Sequence, residues 1–216
     1  MTLMPKPSSK LEHKIILDWI KQSTSVLDLG CGSGELTKKL VKEKNVRAQG
    51  IEIDEQAIHK CVVNGLSVFQ QDIDTGLAEY LDKSFDYVIL SQTLQQVKKP
   101  EFVLKEALRV GVQTIVSFPN FVYYPARFQI FFKGKVPVTP SLPHEWYETP
   151  NLHFLGISDF IEYCTRRKIT IKRSVFIRKN KRVKFFPNFF AETAIFLISN
   201  EQDQRNKEDA YAVNEK

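Results

Sequence analysis

The sequence is poor in the residues that build staples and metal cages. Its 216 residues include three cysteines, four histidines, two tryptophans and two methionines. Three cysteines, an odd number without regular spacing, exclude a disulfide framework and point to reduced thiols in a cytoplasmic setting. His144 and His153 stand nine residues apart with no cysteine nearby, a poor metal site, so no metal is expected. No stretch approaches the ~18 consecutive apolar residues of a membrane span. The segment from Met1 to Lys10 also lacks the apolar core of a signal peptide, so no membrane partner is expected. Glycine is scarce as well, at nine, yet three glycines fall at alternate positions from Gly30 to Gly34. The remainder, 43% apolar and 26% charged, suffices for a core. We expect a single domain over residues 1–199, with an unusual insertion at 119–150, and a polar, disordered tail over 200–216.

The glycines belong to Val26-Leu27-Asp28-Leu29-Gly30-Cys31-Gly32-Ser33-Gly34. Apolar, β-favouring residues lead into the loop, and Glu35, Leu36, Leu40 and Val41 follow at helical spacing. Strand, glycine loop and helix in that order bind a nucleotide-like ligand, because glycine admits close approach and the helix N-terminus offers free N–H groups. A dinucleotide fingerprint, G-x-G-x-x-G, would place its third glycine where Glu35 stands. Asp28 would repel a pyrophosphate but welcome a cation such as an amino-acid ammonium group. The D-x-G-x-G-x-G pattern resembles the first motif of class I S-adenosylmethionine (SAM) methyltransferases, and Asp28, Gly30, Gly32 and Gly34 become cofactor candidates. Cys31 is read as a small structural residue of the loop.

A second strand ends at Gly50-Ile51-Glu52-Ile53-Asp54. Glu52 lies 22 residues beyond Gly30, near the spacing at which an acid meets ribose hydroxyls. Asp54 reads as the N-cap of a helix over 55–63. A third strand leads to Gln71-Asp72-Ile73-Asp74. In the methyltransferases that the first motif resembles, an acid here accepts from the adenine amino group beside an apolar residue, which Asp72 and Ile73 would supply; Asp74 is read as a helix cap. The nearly continuous apolar run Phe85 to Ser91 predicts a central parallel strand. Its end puts Ser91 and Gln92 near the ligand's amino-acid part, with Gln95 and Gln96 as further candidates. Alternating units predict helices over 10–21, 101–109 and 157–167 and strands over 112–118, 169–177 and 191–198. The expected fold class is α/β, a Rossmann-like class I methyltransferase fold, mostly parallel, with seven strands of which one is antiparallel.

Charge is uneven. From Arg166 to Lys184 there are ten Lys or Arg and no acid, and removing these from the net +6 leaves −4 elsewhere. Such a cluster can bind nucleic acid. Strand-like alternation and a turn at Lys179-Asn180-Lys181 instead predict solvated faces, and nucleic acid is disfavoured as a partner. Phe118-Pro119-Asn120-Phe121 has the wrong order and the wrong strand for an amino-methylating Asn-Pro-Pro-Tyr motif.

The oddest segment runs from Pro119 to Pro150. It holds six of the ten prolines, and residues 118–154 hold ten of the 25 aromatics. That is too long for a plain connection. A short helix over 123–132 is expected, with Phe128, Phe131 and Phe132 apolar and Gly134 as its stop. A stiff aromatic insertion is a lid over a small substrate, a docking surface or a satellite core. Phe121, His144, Trp146, Tyr147 and His153 are candidates for a partner or substrate surface. His144, Glu145 and His153 are the only obvious acid–base groups in the segment. Methyl transfer needs alignment above all, so the catalytic residues are left unassigned.

Taken together, Val26 to Gly34, Gly50 to Asp54, Gln70 to Asp74, Phe85 to Leu94, Ser117-Phe118-Pro119-Asn120-Phe121 and Leu142 to His153 are similar to the MetW family of methionine biosynthesis. The resemblance covers about Lys10 to Arg182, and the last two segments are its most restricted parts. It implies a class I SAM-binding fold, with SAM or S-adenosylhomocysteine (SAH) as ligand. It also implies a partner, a homoserine O-acyltransferase, whose acylation this protein supports. The alternative is an independent methyltransferase acting on a small metabolite. The family commonly carries Tyr near position 144, so no catalytic role is carried onto His144.

Overall fold

The computed structural model describes residues 10–200. In chain order it forms α1 (Lys10–Trp19), β1 (Ser25–Leu29), α2 (Glu35–Lys44), β2 (Arg47–Glu52), α3 (Glu55–Val63), β3 (Ser67–Gln70), a 3-10 turn (Ile73–Thr75), β4 (Phe85–Ser91), α4 (Pro100–Val110) and β5 (Gly111–Pro119). Then come α5 (Tyr124–Lys133), α6 (Ile157–Arg166), β6 (Ile169–Arg178), β7 (Lys181–Arg182), α7 (Pro187–Phe190) and β8 (Thr193–Asn200). Asn200, where the expected tail was to begin, closes β8. Residues 201–216 of that tail lie outside the described residues.

The strands form one eight-stranded sheet in the order β3-β2-β1-β4-β5-β8-β6-β7. Strands β1 to β5 pair in parallel, and β8 runs antiparallel between β5 and β6. The mostly parallel α/β architecture is the expected one, with one strand more than the seven predicted. The extra strand is β7, which folds back on β6 with Arg178 opposite Lys181. Lys179 and Asn180 form the turn between them, with φ of 46° and 59°. A two-residue loop of two left-handed residues matches the twist of a hairpin, so the lysine-rich turn creates a short strand of its own.

Both faces of the sheet are covered, which explains the apolar run Tyr87 to Leu90 of β4, buried throughout. Successive residues point to opposite faces. Leu27, Val88, Leu90, Val116 and Phe196 join α4 and α6 in one core. Val26, Ile89, Ile115, Ile195 and Leu197 join α1 and α2 in the other. On the α4–α6 side, Phe196 is the aromatic hub, 4.8 Å from the Phe160 ring, 5.8 Å from Phe176 and 5.9 Å from Phe118.

Strand order reverses between β1 and β4: β2 and β3 lie to one side of β1, and β5 lies beyond β4. In open α/β sheets this reversal opens a crevice at the carboxyl ends of the strands. The chain returning from α5 is fixed beside it. The Gln95 carbonyl accepts from the N–H groups of Leu152 and His153, at 2.8 and 3.1 Å.

Candidate functional site

At the reversal point lies a crevice of about 840 Å³, within the range of small-molecule sites. Asp28, Gly30, Gly32, Glu52, Ile53 and Asp72 line it, and so do Ile73, Ser91 and Gln92. Nine of the ten cofactor candidates therefore meet on one surface. Gly34 is the exception, and it acts from behind. It is the N-cap of α2, with φ of 75° and no side-chain cap. A Cβ there would run into Leu66, so the position shapes the turn rather than touching a ligand. Gly32 is the opposite case. Its φ is 56°, and a Cβ would meet nothing within 4 Å. The open side of the loop is the space a ligand can enter.

The carboxylates are held by backbone N–H groups. Glu52 Oε2 accepts from Gly32 N at 2.7 Å, and Oε1 accepts from Ile53 N and Asp54 N at 2.8 and 3.1 Å. The end of β2 is thereby tied to the tip of the glycine loop. Asp72 accepts from Asp74 N at 2.9 Å and starts the 3-10 turn. Asp54 caps α3 through Gln56 N and Ala57 N, as its position in the sequence predicts. Asp74 also caps, though not its own turn: it accepts from Lys98 N and Lys99 N just ahead of α4. Ile53, 57% exposed, offers an apolar wall at the crevice lip, with the side chain of Ile73 nearly buried.

Asp28 is buried and accepts from Thr37 Oγ1 at 2.6 Å. Burial raises its pKa from 3.8 to about 6, opposed by the Thr37 bond and reinforced by the Glu52 charge. A buried carboxylate that titrates near neutrality is suited to pair with a cationic group. Burial also pushes the thiols of Cys31 and Cys61 well above their ordinary value. Cys61 donates to the Gly32 carbonyl at 3.2 Å, and Cys31 both lines the crevice and packs its sulfur against Gly50 of β2.

Helix α1 brings in two residues that the sequence reading passed over. His13 lines the crevice; Lys39 donates to it at 3.2 Å, and burial first, then the Lys39 charge, lowers its pKa. Glu12 is buried beneath the crevice floor. Its carboxylate accepts from Ser91 Oγ at 3.2 Å, from Gln92 Nε2 at 3.2 and 3.3 Å, and from Ser117 Oγ. Gln92 sits at φ 55°, a left-handed conformation uncommon outside glycine, so the carboxylate holds a strained residue at the ligand end of β4. A signal existed: Glu12 precedes Ile15 and Ile16 by three and four positions, which puts an acid on the apolar stripe of α1. Of the other glutamines, Gln96 lines the crevice and Gln95 is buried; both donate to the Gln92 carbonyl.

The insertion residues divide. His144 lines the crevice together with Glu148 and Pro150. Trp146 and Tyr147 are exposed, their rings 5.6 Å apart edge to face, and neither reaches the crevice. His153 Nε2 donates to the Val97 carbonyl at 3.0 Å and pins the returning chain. Phe121 requires a correction. Expected on a partner or substrate surface, it is only 6% exposed and meets Phe154 edge to face at 4.9 Å. Its ring is covered by the returning insertion, where it lines a small cleft with Leu142, Trp146 and Phe154, while its N–H donates to the Leu155 carbonyl.

The family model for methionine biosynthesis protein MetW matches residues 10–198. The chain belongs to the MetW family. The match extends beyond the stretch of resemblance read from the sequence and takes in β8. A bifunctional methionine biosynthesis protein MetXA/MetW from Rhodopirellula baltica is 32% identical over 204 residues, covering 88% of this chain and 33% of that protein. The chain spans about a third of the length of the curated relatives it matches. Among solved structures, a SAM-dependent methyltransferase from Archaeoglobus fulgidus has a TM-score of 0.62 at 15% identity, covering 86% of this chain and 90% of its own. A Rhodobacter sphaeroides protein described as a Zn-dependent alcohol dehydrogenase reaches 0.65 at 14% identity, covering 89% and 90%. These likenesses show the fold that MetW proteins share with SAM-dependent methyltransferases. They leave the chemistry to the site. Among the described residues, no helix is long and apolar enough to cross a membrane.

Proposed function

We propose that this MetW-family protein binds SAM or SAH in the β1–β4 crevice and works in the cytoplasm as an accessory subunit of a homoserine O-acyltransferase. A role in methionine biosynthesis follows from the family. The observation that carries the partner is the relative from Rhodopirellula baltica, whose name joins MetXA to MetW in one chain. We read the MetXA part as the acyltransferase.

The crevice residues fit the ligand part by part. Asp28 would take the ammonium group, Glu52 the ribose hydroxyls, and Asp72 the adenine amino group with Ile53 and Ile73 against the ring. Gly32 would leave room for the backbone to approach. SAM, when bound, supplies a sulfonium methyl group. SAM is also a downstream product of methionine, so occupancy of this crevice would report the end of the pathway to the acyltransferase.

A second reading, an independent methyltransferase on a small metabolite, has one observation in its favour: His144, Glu148 and Pro150 bring the insertion over the crevice as a lid would. One assay separates the two readings. Homoserine acylation is measured with the acyltransferase of the same organism, with and without this protein, alongside co-elution. A large rise with co-elution is expected. No rise and no complex would remove the accessory role and turn the search toward methyl acceptors, read as SAH release from SAM.

A further inference from the structure

Helix α5 spends its aromatic residues on the surface. Of its ten residues only Ala126 is buried. Phe131 is 81% exposed, and Phe132 and Phe128 are exposed beside it. These rings lie on one another rather than on the core: Phe128 and Phe132 stack at 5.6 Å, and Phe131 meets Phe132 at 4.9 Å. A helix this short draws its stability from burying an apolar face, and among the described residues these three rings all stay at least half exposed.

The fold adds a second set of rings to the first. Tyr124 stacks on Phe189 of α7 at 5.6 Å, the Arg127 guanidinium lies 5.5 Å from the Phe189 ring, and Arg178 donates to Tyr124 Oη at 2.7 Å. These contacts join α5 to the end of β6, the β6–β7 hairpin and α7. Phe185 and Phe186, just ahead of α7, are exposed and meet edge to face at 4.3 Å. Phe186 holds φ of 40°, a strained backbone for a bulky residue. Residues 123–138 and 178–190 together carry nine aromatics, eight Lys or Arg, and no Asp or Glu.

We propose that this aromatic, basic face of α5, the β6–β7 hairpin and α7 docks the acyltransferase, on an apolar patch of the partner rimmed by carboxylates. The inference rests on the accessory reading above and names the surface that serves it. Three observations select this occupant. The apolar rings anchor, while a rim of eight Lys or Arg, met by the carboxylate of Glu192 at Lys179 N and Tyr123 Oη, keeps an excess of positive charge that favours an acidic counterpart. The fixed, mutually stacked rings and the strained Phe186 present a shape, which a lipid surface does not require. The relative whose name joins MetXA to MetW carries the part read above as the acyltransferase in the same chain as a unit like this one. The crevice is left out of the contact, since neither α5 nor α7 lines it.

The test uses the full chain and the acyltransferase of the same organism, with complex affinity measured by calorimetry and SAH binding as the control for folding. A Phe131→Asp/Phe132→Asp variant and a separate Lys133→Glu/Lys135→Glu variant are compared with the parent chain. Each is expected to weaken the complex at least tenfold while SAH binding is unchanged, and the complex of the parent chain should weaken with added salt. If the parent chain binds the acyltransferase and both variants bind equally well, the surface is wrong and the accessory reading survives. If the parent chain forms no complex, both fall. If the phenylalanine variant loses self-association, or loses sedimentation with phosphatidylserine vesicles, but keeps the acyltransferase, the face belongs to a second copy or to a membrane, and the proposal is overturned.

Discussion

At the scale of single residues, the crevice depends on where its carboxylates get their partners. Glu52 is satisfied by three backbone N–H groups, so it is rigid before any ligand arrives. Glu52→Ala removes the tie to the glycine loop and, on the proposed reading, the ribose acceptor. SAH affinity measured by calorimetry should fall by about 1–3 kcal/mol, and unchanged affinity would take Glu52 out of the site. Asp28 makes a prediction about pH. Its carboxyl titrates near 6 when folded, against 3.8 ordinarily. The folded protein thus holds this proton more tightly than the unfolded chain does. The stability it contributes is fully present below pH 3.8 and is lost as pH rises through about 6, by up to about 3 kcal/mol. Asp28→Asn should therefore gain stability relative to the parent chain between pH 4 and 6.5, with a constant difference above that. Urea midpoints across that range would show it, and parallel curves would refute it. The ligand ammonium group favours the ionised form, so SAH affinity should rise over the same interval.

At the scale of elements, α1 is both a cover for the sheet and a floor for the crevice. Glu12 joins it to β4 and β5 through Ser91, Gln92 and Ser117. Glu12→Ala strands buried hydroxyls, and the expected loss is about 1–3 kcal/mol by urea denaturation. Glu12→Gln keeps an acceptor and should recover part of it; equal losses would mean that the charge, not the hydrogen bonding, matters. This helix also marks how far the sequence could be read. Periodicity and caps located α3 at its observed bounds and α4 and β6 to within a residue or so, because Asp54 and Pro100 mark the helix starts and β6 alternates in sequence. The crevice was legible because its residues sit at strand ends beside a glycine loop. Strand β7 and helix α7, two and four residues long, show no period and were not seen. Glu12 was missed because an acid in an amphipathic helix is expected to face water. Phe121 was misplaced because composition alone does not say which aromatics of a proline-rich segment turn inward. The outward phenylalanines of α5 invert the usual rule, and their stacking on one another, like the contacts of Tyr124 and Arg127 with α7, is visible in the fold alone.

At the scale of the whole molecule, one segment touches both functional faces. The chain from Pro119 to Leu155 begins on β5, carries the exposed rings of α5, places His144, Glu148 and Pro150 at the crevice, and returns to the Gln95 carbonyl. A ligand that touches His144 and Glu148 touches the same stretch of chain that presents Phe131 and Phe132. If crevice occupancy regulates the acyltransferase, it does so as a coupling free energy, and coupling is reciprocal. Saturating SAH should change the dissociation constant of the complex by some factor, and the acyltransferase should change the affinity for SAH by the same factor. Typical couplings of 1–3 kcal/mol correspond to roughly 5- to 150-fold, well within the reach of calorimetry. A factor of one in both directions would make the crevice and the aromatic face independent, and SAM would then be a fixture of the fold or a methyl donor rather than a signal. A factor seen only in catalytic rate, with both affinities unmoved, would place the regulation in the partner's active site instead of in the docking contact.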